Sequence, residues 1–238
     1  MVQTPPPPQL PRFPDELELR IKVKRELRKR ARGLRSATPA DACLERSARI
    51  IARLLDLEVL RAARTVALFW PMEARHEVDL RPLDEALRAR GVRVAYPAIE
   101  PAPLGDARPR LMTFHFVDDP ASLVERDLGF AEPSLEAPVV PADLGELDVV
   151  VVPALALDPT GQRIGYGGGY YDRALEGTRV AKVGVIFDFQ LLPEVPATPG
   201  DVAVDWIVTD RRVLAAEHGP PPPAGATGTE GTPPPCST

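Results

Sequence analysis

L-D-V-V-V-V-P, Leu147 to Pro153, is the most apolar run in the chain. Four consecutive valines offer no polar side chain to either face, which is the pattern of a central strand buried on both sides. Working outward, T-V-A-L-F-W (Thr65 to Trp70), V-R-V-A-Y (Val92 to Tyr96) and L-M-T-F-H-F-V (Leu111 to Val117) read as further strands. So do Val180 to Phe187 and Trp206 to Val208. Helical patterns lie between them. Residues 16–35 carry Leu17, Ile21, Leu27 and Leu34 near helical spacing. A second helix runs to about Leu57, with Thr38 as its N-cap, Pro39 at its first position and a stripe of Leu44, Ala48, Ile51, Leu54 and Leu55. A third covers 79–90 and ends at Gly91, where a glycine suits the position after a helix. A long connection holds Pro120, Pro133, Pro138 and Pro141, and a last helix begins near Tyr170. The alternation predicts an α/β fold: a mainly parallel sheet with helices on both faces.

Composition narrows the function classes. The chain has 238 residues, 44% hydrophobic and 26% charged, an ordinary globular balance. Its net charge of -5 argues against a general nucleic-acid binder. No apolar run approaches the ~18 residues of a membrane span and no signal peptide is visible, so a cytoplasmic protein is expected. Cys43 and Cys236 are too far apart in sequence and too few for a disulfide framework or a zinc site. Of the 29 prolines, six fall within Pro5 to Pro14 and seven within Pro220 to Pro235. Residues 1–14 and 219–238 therefore read as solvated tails around a single domain at 15–218.

The chemistry concentrates in R-I-G-Y-G-G-G-Y-Y-D-R, Arg163 to Arg173. Gly165, Gly167, Gly168 and Gly169 occupy four of five positions just before a helix. Glycine lets successive N–H groups turn inward on an anion, and the helix start adds its own free N–H groups. The spacing is neither a Walker A loop nor a dinucleotide fingerprint, since no Gly-Lys-Ser/Thr follows and some twelve residues separate it from its strand. The residues alone leave a phosphate site and a plain flexible loop both open.

That block, following V-V-P-A-L-A-L-D, resembles the signature of the 5-formyltetrahydrofolate cyclo-ligase family. K-R-E-L-R (Lys24 to Arg28), M-E-A-R-H-E-V-D-L-R-P-L (Met72 to Leu83) and G-F-A-E-P (Gly129 to Pro133) fall in the family's order. The resemblance covers roughly residues 20 to 210. It implies ATP- and magnesium-dependent closure of 5-formyltetrahydrofolate to 5,10-methenyltetrahydrofolate, on a fold related to sugar-phosphate isomerases and CoA-transferases. ATP, a reduced folate and Mg2+ are thus the implied ligands. A sugar-phosphate isomerase-like enzyme, or a catalytically silent module binding RNA through the basic first helix, are the rival readings. Joint retention of Lys24, Arg28, Gly165, Gly169 and Asp172 argues against silence.

The resemblance also implies roles for single residues. Lys24 and Arg28, four apart and so on one helix face, would meet the ATP phosphates. Arg25 goes with that segment, although a solvated face is its stronger reading, as it is for Arg30 and beyond. Arg163, Ile164, Gly165, Tyr166, Gly167, Gly168, Gly169, Tyr170 and Tyr171 would form the nucleotide loop. Met72 and Glu77 would contact the folate; Glu77 could accept hydrogen bonds from the pterin N–H edge, and Tyr166 and Tyr170 could stack on it. Asp172 would be a magnesium ligand, although an acid in a first helical turn also fits the dipole. Asp201 would be a second ligand or a Pro-Gly-Asp turn residue. Arg163 and Arg173 are the candidate catalytic cations. His76, His115 and His218 lack ligand-spaced partners and receive no role. Many family members carry Lys or Arg where this chain has Gly168, which leaves that charge to the remaining cations.

Overall fold

In a computed structural model the described residues are 15–101, 110–126 and 129–217, so both expected tails and His218 lie outside them. The elements in chain order are α1 (Glu16–Ser36), α2 (Ala40–Asp56), α3 (Glu58–Ala62), β1 (Thr65–Ala67), α4 (Arg81–Ala89), β2 (Arg93–Ile99), β3 (Met112–Phe116), β4 (Val124–Glu125), β5 (Ala131–Glu132), β6 (Val149–Pro153), β7 (Ala156–Leu157), β8 (Arg163–Ile164), α5 (Tyr170–Leu175), β9 (Ala181–Val185), β10 (Trp206–Val208) and β11 (Val213–Ala215). Seven strands form one sheet in the order β11-β10-β9-β6-β1-β2-β3, with β6 in the middle as its valines require. The inner pairings are parallel, and β3 and β11 close the two edges antiparallel.

The period of two along β6 sorts its valines between two cores. Val149 and Val151 join α2, α3 and α4 through Ile50, Leu54, Leu60, Leu83 and Leu87. Val150 and Val152 face Leu175 of α5 and the irregular segment carrying Val140, Leu144 and Leu147. Each such buried aliphatic contributes roughly 1.5–3 kcal/mol. Helices therefore cover both faces unequally: three pack one side, while α5 and loop chain cover the other.

Several local expectations change. Thr38 does not cap α2. Its hydroxyl donates to the Leu34 carbonyl at 3.0 Å, closing α1 instead, and Pro39 takes the N-cap position without a side-chain bond. The strand expected over Thr65 to Trp70 stops at Ala67, with one further bond from Leu68 N to Ala95 O, because Phe69 and Trp70 turn toward a cavity. Gly91 does sit just beyond α4, with φ 77° and its N–H on Arg88 O. The proline-rich connection pairs along β3: Phe116 N donates to Pro138 O and Val140 N to Phe114 O, both at 2.8 Å.

The largest departure is α1. Its apolar spacing marks no buried stripe, since Leu17, Ile21 and Leu34 are 44%, 45% and 47% exposed. Lys24, Ala31 and Arg35 are buried instead. With Arg28 they recur at helical intervals on one face, whose cations meet polar partners in the body while Ala31, with Leu27 beside it, packs on Leu155 and Ile164.

Candidate functional site

A cavity of about 530 Å³ opens where β1, β2 and β6 end, lined by Phe69, Trp70, Pro97, Ile99 and Pro153 among others. The carboxyl ends of parallel strands are the ordinary place for a ligand in such sheets. Around this apolar floor four segments bring polar groups: α1, the turn after β1, the glycine loop between β8 and α5, and the Thr198 to Asp201 turn before β10.

The glycine loop needs its residue type. Gly167 and Gly169 have φ of 107° and 64°, values L side chains rarely adopt. At Gly168 an added Cβ would stand 2.6 Å from the Tyr170 ring, so the aromatic occupies the room a longer residue would need. The Arg173 guanidinium lies over that same ring, 5.3 Å from its centroid.

Lys24 Nζ forms an ion pair with Asp201 Oδ2 and donates to Thr198 Oγ1 at 2.9 Å. Asp201 Oδ2 also accepts from Thr198 N and Oγ1 at 2.5 and 3.0 Å. Arg28 Nε donates to Gly165 O at 3.0 Å, fastening α1 to the loop. Arg163, nearly buried, donates from Nη2 to Asp172 Oδ1 at 2.7 Å and from Nη1 to Val202 O. Val202 N donates to the same Asp172 oxygen at 3.1 Å. Asp172 thus does not cap α5, whose N-cap is Gly169 without a side-chain bond. Arg173 Nη2 reaches Arg110 O at 3.3 Å.

Across the cavity Glu77 is only 6% exposed. Its Oε2 accepts from Met72 N at 2.9 Å, and its Oε1 accepts from the Tyr166 hydroxyl. Arg35 donates to that hydroxyl and stands 3.9 Å from Oε1. Burial first, then the Glu77 charge, push the Tyr166 phenol up to about 12, against a smaller opposing pull from Arg35. Burial also holds the Tyr171 phenol far above its usual range, and that ring packs edge-on to Phe114 at 6.4 Å.

Most of the residues singled out from sequence line one cavity: Lys24, Arg28, Met72, Glu77, Arg163, Gly165, Tyr166, Gly167, Gly168, Gly169, Tyr170, Tyr171, Asp172, Arg173 and Asp201. Two are not brought there. Arg25 is exposed and outside the cavity lining, because its neighbour Lys24 occupies the inward face. Ile164 is fully buried with Ala31 and Leu155, an anchor for β8 rather than part of the lining. Arg35 contradicts the solvated reading given to Arg30 and beyond: it is buried, since it continues the stripe of Lys24 and Arg28. Thr198 and Trp70 were also missed. The signals were Thr198's place three residues before Asp201, and Trp70's place just past the end of a central strand. His76, given no role from the sequence, donates from Nδ1 to Arg35 O at 3.3 Å and steadies the turn before Glu77.

The donor set suits a hard cation in kind. Asp172 and Asp201 both line the cavity, and among the described residues their second carboxylate oxygens, Oδ2 and Oδ1, accept no hydrogen bond. Magnesium characteristically takes one or two carboxylates and completes its shell with phosphate and water. No group of three or more His, Cys, Asp or Glu forms a closed metal cage among the described residues.

Comparison with known proteins agrees with this geometry. A profile of the 5-formyltetrahydrofolate cyclo-ligase family matches residues 20–210. The 5-formyltetrahydrofolate cyclo-ligase of Escherichia coli K12 is 34% identical over 165 residues, 68% of this chain and 86% of that protein. The Mycolicibacterium smegmatis protein of the same name is 42% identical over 100 residues, 41% of this chain and half of the relative's length. The solved structure of Aquifex aeolicus 5,10-methenyltetrahydrofolate synthetase superposes with a TM-score of 0.70 at 29% identity, covering 87% of this chain and 99% of that one. The chain belongs to the 5-formyltetrahydrofolate cyclo-ligase family.

Proposed function

We propose that this chain closes 5-formyltetrahydrofolate to 5,10-methenyltetrahydrofolate at the expense of ATP, with ADP and phosphate released. The observation that carries the reading is one cavity that brings cations and the glycine loop beside aromatic walls and a buried carboxylate. A nucleotide triphosphate and a flat heterocycle with an N–H edge need those two kinds of surface side by side.

The formyl group on nitrogen 5 is an amide, and its carbon is a poor target for nitrogen 10. Transfer of the γ-phosphoryl group to the formyl oxygen converts that oxygen into a leaving group. Nitrogen 10 then attacks the carbon, the carbon–oxygen bond breaks as phosphate departs, and nitrogen 10 loses its proton. Phosphoryl transfer asks mainly for positioning and charge neutralisation. Lys24, Arg28 and Arg163 supply cations, and the glycine loop supplies N–H groups. Met72, Tyr170 and Trp70 flank the ring system, and Glu77 accepts from its N–H edge. Magnesium, held by Asp172 and Asp201, would neutralise phosphate charge when bound. In the ligand-free protein Lys24 and Arg163 are paired with these same aspartates. The arriving phosphates and cation therefore exchange partners with groups already buried, so the site avoids stranding a charge.

The test mixes protein, ATP, magnesium and 5-formyltetrahydrofolate and follows methenyl absorbance with ADP release. Folate-independent ADP release, or no methenyl product, overturns the reading. Within the same assay, Asp172→Asn keeps an oxygen for Arg163 and Val202 N but removes the charge. It is expected to lose about a hundredfold or more in turnover with a stability loss of about 1–2 kcal/mol. Added magnesium restores part of the turnover if Asp172 is a ligand; an unchanged magnesium dependence makes it only Arg163's partner.

A further inference from the structure

We infer that Arg35 and Tyr166 are positioning residues that fix the Glu77 carboxylate for the folate, making this pair a determinant of folate affinity. The inference rests on the proposed function for the identity of the ligand, but its geometry stands alone.

Glu77 is a carboxylate almost wholly removed from water, and such a group needs donors at hydrogen-bond distance. It has donors of two origins. Met72 N–H holds Oε2 from within the same turn, and Tyr166 O–H holds Oε1 from the glycine loop. Arg35, from α1, donates to the Tyr166 oxygen and lies 3.9 Å from Oε1, so it aligns the phenol and offsets the carboxylate charge. A phenol accepting from a guanidinium has its own hydrogen directed elsewhere, and here that direction is Glu77. The ring is held in place as well: the guanidinium carbons of Arg75, Arg32 and Arg35 lie 4.9, 5.6 and 5.6 Å from its centroid. Its raised pKa keeps it a neutral donor across the ordinary pH range.

A merely structural ion pair would satisfy the carboxylate and bury it out of reach. Glu77 and Tyr166 both line the cavity instead. An ionised carboxylate offers about four acceptor positions. Two are taken among the described residues, which leaves capacity for a ligand's N–H groups. The turn feeding Glu77 is also fixed at some cost. His76 adopts the left-handed conformation at φ 48°, and its Nδ1 bonds the Arg35 carbonyl. Arg35 thus holds Glu77 through both its side chain and its backbone.

The readout is binding of 5-formyltetrahydrofolate to the full chain by calorimetry, with Michaelis constants for both substrates and denaturant midpoints in parallel. Tyr166→Phe keeps the ring and removes the donor. Its folate dissociation constant is expected to rise about tenfold, as loss of one charge-assisted hydrogen bond does, while the Michaelis constant for ATP stays within about twofold. Arg35→Met should match it, and Arg35→Lys should recover part of the loss by restoring the cation. Combining Tyr166→Phe with Glu77→Gln should weaken binding no further than Glu77→Gln alone, because the phenol acts through that carboxylate. Unchanged folate binding, equal effects on both substrates, or full additivity with Glu77→Gln overturns the inference. If Arg35→Met fails to fold, the Tyr166→Phe cycle decides alone. Wild-type protein that binds the folate without forming methenyl product sinks the proposed function while leaving this inference to its variants; wild-type protein that binds no folate sinks both.

Discussion

α1 and α2 follow one another in the chain and obey opposite rules. α2 buries Ile50, Ile51 and Leu54 and turns most of its charges outward, as a core helix does. α1 buries Lys24 and Arg35 and leaves Leu17, Leu19, Ile21 and Leu34 exposed. The first helix is held mainly by hydrogen bonds and ion pairs to Asp201, Thr198, Gly165, Tyr166 and Glu77, with a small apolar contact through Ala31 and Leu27; the second is held by apolar area. Area makes α2 a source of stability. Direction makes α1 a part of the site, where its energy goes into placing groups.

That contrast can be broken at its strongest point first. Leu54→Ala removes a fully buried side chain from the core and is expected to cost about 2–5 kcal/mol in a denaturant titration. The Michaelis constants of the folded variant should stay unchanged. A loss of ATP affinity there would deny the division between the helices. Lys24→Ala should act the other way. Asp201 keeps the two Thr198 donors, so the loss of stability should be about 1–3 kcal/mol. The Michaelis constant for ATP should rise tenfold or more, and that for folate much less; equal rises would move Lys24 out of the phosphate role. Smallest of all is Leu17→Ser at the exposed end of α1. Its stability should change by no more than about 0.5 kcal/mol, and a large loss would show that this end of α1 is covered after all.

The same contrast explains what could be read from the residues. β6 was legible because four valines admit only one environment, and the glycine loop because few sequences put four such residues before a helix. Both rest on local composition. The orientation of α1 was not legible, since helical periodicity marks a face without saying what the face meets. Leu17 and Ile21 share a spacing with Lys24, Arg28 and Arg35, and only the body decides which members are enclosed. Arg35 was missed for that reason. Strand direction escaped likewise, since β3 reads as a strand without showing that it runs antiparallel to β2, and β11, three residues long, was not read as a strand at all. Resemblance located Glu77, but its partners come from segments 42 and 89 residues away, a juxtaposition that no motif encodes.

A sheet whose margins are bare recruits other molecules, since unpaired amides and carbonyls are a template for further strands. Here the outer margin of β3 is already taken by Pro138 O and Val140 N, in a segment where Pro138 and Pro141 have no hydrogen to donate. The opposite margin, β11, offers three residues beside Arg211 and Arg212. Concentrated solutions of this protein should therefore resist strand-to-strand clumping, a protection owed to the proline-rich stretch around Pro138 and Pro141.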